Sequence, residues 1–267
     1  MSRWKYTRHP QTYSMMGFQF LVTLVLLIAF YAMSDYYYSQ TKIVARTLFY
    51  LPPSSYGISL LLEIASVLLR FPMILFLSSL FTAKYASQNA IILTRQKDMR
   101  SFFRANILEL FTASFAASFS ILLAIAVFLL PSFFSGFTAD DLQWLLQLSP
   151  LVILFPLGNF IFLLYSNLIT LFFDRRYSFF LAIGVFLLNS LLLKIPLPFA
   201  QVLLQISPLA AQLFFLYGIP PFVSTTNLDL LEYPISGNFY FLIIALTVQF
   251  VLLYFCLFQT TKKRDYL

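Results

Sequence analysis

Charge is scarce in this 267-residue chain: only 10% of its residues are Asp, Glu, Lys or Arg. Soluble domains carry roughly 25%. With 60% hydrophobic residues as well, there is too little charge to coat a surface facing water. A soluble globular domain and a disordered chain are both excluded, which leaves a polytopic membrane protein. Cysteine is nearly absent too. Cys256 stands alone, so no disulfide framework or thiolate metal cluster forms within the chain. It lies in the last apolar run and reads as a buried, inert thiol.

Histidine occurs once, as His9, far from any apolar run. Metal-dependent lipid enzymes and intramembrane proteases generally need a His inside the membrane as base or ligand, and a serine nucleophile needs a base beside it. Intramembrane catalysis is therefore disfavoured, and no catalytic, cofactor or metal-binding residue is assigned. The seven glycines, Gly17, Gly57, Gly136, Gly158, Gly184, Gly218 and Gly237, compose no phosphate-cradling Gly-x-x-x-x-Gly-Lys loop, so this chain does not hydrolyse ATP. No regular arginine series suggests a voltage sensor. No Gly-rich filter loop suggests a channel.

Long apolar runs are what the chain has in abundance. A spanning helix needs about 20 predominantly apolar residues, and six stretches qualify: about 17–33, 57–81, 105–130, 144–173, 177–193 and 239–258. The third is expected to stop at Pro131, and the fourth to bend at Pro150, Pro156 and Gly158. The first is followed by Tyr36, Tyr37 and Tyr38, an aromatic anchor of the kind found at headgroup level. It therefore reads as a retained helix and not a cleaved signal. Residues 1–16, with Trp4, Tyr6 and Tyr13 among basic residues, resemble an interfacial helix that Pro10 breaks or begins.

Placing the N-terminus inside puts thirteen of the seventeen Lys and Arg residues on the cytoplasmic side and three outside, with Arg70 inside a span. This positive-inside bias orients both termini to the cytoplasm. It also makes the net charge of +7 a matter of topology and not a nucleic-acid surface. The apolar stretch Ile195–Val223 is cut by Pro196, Pro198, Pro208, Pro220 and Pro221 into pieces too short to span. They read as re-entrant half-helices between spans five and six. The expected fold is thus all-α, one transmembrane domain over 1–267.

Three ionisable residues enter spans: Glu63, Arg70 and Glu109. Each costs about 2.5–3.5 kcal/mol at mid-membrane on insertion scales. They therefore line a wet path or subunit seam, or form an ion pair that fixes packing. Glu63 and Arg70 share a helix face about 10.5 Å apart, too far for a direct pair, which makes Glu109 a candidate partner for Arg70. In the longest inner loop, Tyr85, Ile91, Ile92, Met99, Phe102 and Phe103 interleave with basic residues. That pattern suits short helices that lie on the membrane or dock a partner, and equally a plain basic anchor.

The layout as a whole, with Phe81-Thr-Ala-Lys-Tyr85, Leu93-Thr-Arg95, Arg100-Ser-Phe-Phe-Arg104, Leu171-Phe-Phe-Asp-Arg-Arg176, Ser207-Pro208 and the closing Phe258 and Lys263-Arg-Asp265, resembles the membrane subunit of an ATP-binding-cassette (ABC) exporter of the type-2 permease class. Lys84 and the Gln88–Asn89 pair stand where the commonest family form has an acidic residue and a Gly-Thr pair. The resemblance implies a homodimer or heterodimer of permeases in a bacterial plasma membrane, with ATP and Mg bound by separate ATPase subunits docked beneath. Its coupling segment would comprise Tyr85, Gln88, Asn89, Ile92, Arg95, Lys97 and Arg100. The implied cargo is amphipathic or hydrophobic: a bacteriocin-like peptide, a drug or a lipid-linked molecule. The competing expectation is a stand-alone carrier or an accessory protein without an ATPase.

Overall fold

A computed structural model describes residues 10–33, 40–41, 43–44, 56–82, 99–139, 141–142, 151–173, 175–192, 206–208 and 239–264. Among them the chain is helical, with no strand. Six helices account for nearly all of it: α1 (Pro10–Met33), α2 (Tyr56–Leu77), α3 (Met99–Gly136), α4 (Leu151–Phe172), α5 (Arg175–Leu192) and α6 (Phe239–Arg264). Four contain segments long and apolar enough to cross a membrane: Tyr13–Met33 in α1, Phe103–Gly136 in α3, Val152–Phe172 in α4 and Tyr240–Lys262 in α6. In a bilayer the backbone must satisfy its own hydrogen bonds, and uninterrupted helices do so.

Three of the boundaries that differ from those expected bear on the fold. The helix that carries the first span starts at Pro10, so residues 10–16 belong to the same continuous helix, of which Tyr13–Met33 is long and apolar enough to cross a membrane. Proline suits a first helical position because its missing N–H would be unbonded there anyway. Met15 and Gln19, one turn apart, are both buried, and these contacts carry the helix through Gly17. The third helix does not stop at Pro131 but runs on to Gly136, whose φ of +116° closes it as a glycine cap. Its 38 residues reach about 57 Å, well beyond a hydrocarbon core of about 30 Å. The third difference is a turn at Ser78–Ser79 that interrupts α2 before a last helical fragment over 80–82.

The helices assemble around α4, which meets α2, α3, α5 and α6, while α1 lies along α3 and α2. Small buried residues on α3, namely Ala113, Ser114, Ala117, Ser118 and Ala124, permit close approach of its neighbours. Close approach is what holds helices together in lipid, where apolar burial itself gives little. At one end of the bundle, where α2 and α4 begin and α3 finishes, α1 and α3 are pinned by Tyr31 against Phe128, with ring centroids 6.2 Å apart. Beyond them Ser132 donates to Gln40 Oε1 and Thr41 donates to Asp141 Oδ1 over 2.8 Å. Thr138 and Asp141 form a reciprocal cap, Asp141 N–H to Thr138 Oγ1 at 3.3 Å and Thr138 N–H to Asp141 Oδ2 at 3.2 Å.

Candidate functional site

The opposite end, where α2 finishes and α3 starts, carries the most specific chemistry. In an unbroken helix the Phe81 N–H would bond to the Leu77 carbonyl, four residues back. Here the side chain of Asn167, from α4, stands between them. Its Oδ1 accepts from Phe81 N–H at 3.1 Å, and its Nδ2 donates to the Leu77 carbonyl at 2.8 Å. A carboxamide has one donor and one acceptor side, so it replaces a single peptide–peptide bond. An Asp could only accept there, and a Leu could do neither.

The surroundings are built to the same end. Asn167 Nδ2 also donates to Leu163 O on its own helix at 2.8 Å, which fixes the rotamer. Ser166 Oγ donates to the Ser78 carbonyl at 3.4 Å. The Ser78 N–H keeps its helical bond to Ile74 at 3.0 Å, and Thr82 Oγ1 donates to Ser79 O at 3.0 Å. Ser166 and Asn167 are both buried. Side-chain insertion into the ladder is a recognised cause of a helix break, and here another helix supplies the wedge.

An aromatic cluster closes the same end. Phe103, one turn into α3, is buried and lies 5.8 Å from the Phe81 ring, 5.0 Å from Tyr254 and 5.3 Å from Phe258. The last two contacts are edge-on, the favoured geometry for aromatic pairs. Phe81 and Phe103 flank the basic stretch 83–98, so its two ends meet ring to ring. One end is anchored to α4 by Asn167 and the other to α6 by Tyr254 and Phe258.

Deeper in the bundle are two further polar nodes. Arg70 is buried, with its guanidinium carbon 5.3 Å from the centre of the Phe155 ring on α4, a cation–π contact. The neighbouring Leu69 carbonyl accepts from Gln19 Nε2 of α1. Pro72, inside α2, lacks the N–H that would bond to the Leu68 carbonyl, so the ladder is interrupted one residue from this contact. The second node is Gln249 of α6, which accepts from Tyr165 OH at 3.1 Å and donates to the Ile206 carbonyl. Gln249 lies ten residues into α6, about 15 Å along its axis, so Ile206 reaches well below the start of that helix. Asn159 and Ser118 join α4 to α3 over 3.1 Å.

Of the residues singled out in the sequence, Arg70 is placed in the core, Glu109 is half-buried on α3 and Arg100 is exposed in its first turn. Glu63 belongs to α2, but its side chain lies outside the described residues, as do Tyr85, Gln88, Asn89, Ile92, Arg95 and Lys97. Of the Ile195–Val223 stretch only 206–208 is described. Cys256, expected to be buried, is exposed on α6. It stands on a face turned away from the bundle, where a thiol passes as a small apolar group. Asn167 escaped functional notice in the sequence, where Phe103 was read only as one of the apolar residues that interleave with the basic ones of the inner loop. The signal for Asn167 was available: a Ser-Asn pair inside an apolar run is costly unless bonded.

No family model, curated protein or solved structure matches this chain.

Proposed function

We propose that this chain is the membrane subunit of an ATP-driven exporter of the type-2 ABC permease class. It moves an amphipathic or hydrophobic substrate with energy from a separate ATPase subunit. In this reading α1 to α6 are six spans with both termini cytoplasmic, as the distribution of thirteen of the seventeen basic residues favours. Half-helices between α5 and α6 re-enter from the outer side, a reading supported by the depth at which Ile206 meets Gln249. The permease works as a dimer, and its inner loop docks on the ATPase.

The observation that carries the proposal is the mounting of the stretch 83–98. A loop that transmits a partner's motion needs both ends fixed to different moving parts. The Phe81–Phe103 contact closes its base, the Asn167 carboxamide ties one end to α4, and Tyr254 with Phe258 ties the other to α6. Motion of the loop therefore reaches two helices at once. The shift between inward- and outward-open packing follows from the different contacts that the partner makes in its two states.

The test is to tag the full chain, extract it from its native membranes and assay ATP hydrolysis in the purified complex. Co-purification of a Walker-motif protein with ATPase activity is expected. The double variant Arg95→Glu/Lys97→Glu should lose the partner, or retain it with hydrolysis no longer stimulated by substrate. A chain that purifies alone from membranes where it is fully active would overturn the assignment.

A further inference from the structure

A cavity of about 600 Å³ opens between α3, α4 and α6, within the range of small-ligand sites. Its floor is α4, where Leu154, Phe160 and Ile161 are buried. One wall is the α3 stripe Arg104, Ile107, Leu108 and Phe111, and the other is the α6 stripe Ile243, Leu246, Thr247, Phe250 and Tyr254. Both stripes follow the spacing of a single helix face. The Phe103–Tyr254–Phe258 cluster brings α6 onto α3 at one end, and the groove lies beside it along the outer face of the bundle.

Apart from Thr247, whose hydroxyl donates back to the Ile243 carbonyl, the lining is apolar except where it meets that end. Arg104 is exposed there, and Arg100 precedes it by one turn on the same face. On α6 the exposed Lys262 follows Tyr254 and Phe258 at the same four-residue interval. A long apolar trough with cations gathered at one mouth complements one kind of molecule, an amphiphile with an anionic head and a hydrocarbon tail.

We propose that this groove is a binding site for an anionic phospholipid from the leaflet at that end, with an acyl chain along Phe111, Phe160 and Phe250 and the phosphate on Arg104. The chemistry divides between two sources. Bilayer tails fill any apolar trough facing them without preference, whereas a guanidinium at the mouth pairs with phosphate in two hydrogen bonds and selects the head carrying net negative charge. A zwitterionic head brings its own cation to the same place and gains less. The inference requires only that the helices cross a bilayer, so it stands or falls separately from the exporter reading.

The experiment uses the full chain reconstituted in vesicles. It employs two photoactivatable lipids with the same diazirine-bearing tail, a phosphatidylglycerol and a phosphatidylcholine, and maps adducts by mass spectrometry. Phosphatidylglycerol adducts are expected on Leu108, Phe111 and Thr247, in about five-fold excess over phosphatidylcholine, the factor set by one basic residue near an anionic head. Arg104→Gln should erase the excess and leave the phosphatidylcholine signal alone. Thr247→Trp, at an exposed position where bulk does not disturb the core, should remove groove adducts of both lipids while those on Val251 and Leu252 persist. Equal labelling by the two lipids in the wild type, an excess that survives Arg104→Gln, or chain-to-chain crosslinks from the groove that mark a second copy as its occupant would each overturn the proposal.

Discussion

α4 and α6 are both apolar helices of spanning length, yet they are used in opposite ways. Two-thirds of the apolar window of α4 is buried, 67%, against 28% for α6. The more buried helix is also the less hydropathic of the two, the reverse of what water would impose. α4 holds its place through Asn159, Tyr165, Ser166 and Asn167, each bonded to another helix. α6 turns Ile244, Val248, Leu252 and Phe255 outward and is held at Gln249 and by aromatic contacts to Phe103. Where the solvent is as apolar as the core, polar side chains decide which helix stands in the middle.

The comparison breaks most readily at Phe103. Phe103→Ala removes the ring that three others rest on, and a loss of about 3–5 kcal/mol is expected by analogy with buried Phe truncations. The outward Leu252→Ala should cost less than about 0.5 kcal/mol. Unfolding in a graded detergent mixture, read by helical circular dichroism, measures both. Similar losses would mean that α6 is held by its whole length and not by its end.

Asn167→Leu comes next. It strands the Leu77 carbonyl and the Phe81 N–H together, at a cost of about 1–3 kcal/mol for unsatisfied buried groups. Asn167→Asp should cost a similar amount, because it keeps the acceptor and loses the donor. Equal stability of the two variants and the wild type in the same titration would remove the clamp from the account. A smaller effect is expected of Asn159→Leu, which loses a bond to the Ser118 hydroxyl and opens no break in a backbone ladder. Hydrogen bonds between membrane helices average about 0.6 kcal/mol, and a double-mutant cycle with Ser118→Ala isolates that coupling. Last, Gly17 has open space around the position of a Cβ and lies inside α1, so Gly17→Ala should raise stability by about 0.5–1 kcal/mol. A loss there would show that α1 needs close backbone contact.

Much of this was legible in the sequence, and the limits have a physical cause. Apolar runs broken by Pro and charge located all six helices, but several ends lay six or seven residues from the expected ones, as at Pro10, Met99, Gly136 and Arg264. Proline misled at position 131, because a helix already bonded on both sides tolerates one missing N–H. The inward faces were not legible, since lipid and core select the same side chains. Arg70 announced its burial by its charge, but its aromatic partner sits 85 residues away on α4. Asn167 was visible as a polar residue in an apolar run. Its partners were hidden because they are backbone atoms of another helix, exposed by a turn for which the Ser78–Ser79 pair was the only hint.

The central claim is that α4 sets the place where α2 ends and so holds the base of the stretch 83–98. Hydrogen exchange of the full chain in lipid nanodiscs addresses it at the atoms concerned. In the wild type the Phe81 amide should be protected as well as amides in the middle of α2. In Asn167→Leu its exchange should accelerate at least ten-fold, while the amides of α6 around Phe250 stay unchanged. Protection of Phe81 that survives the substitution would contradict the account.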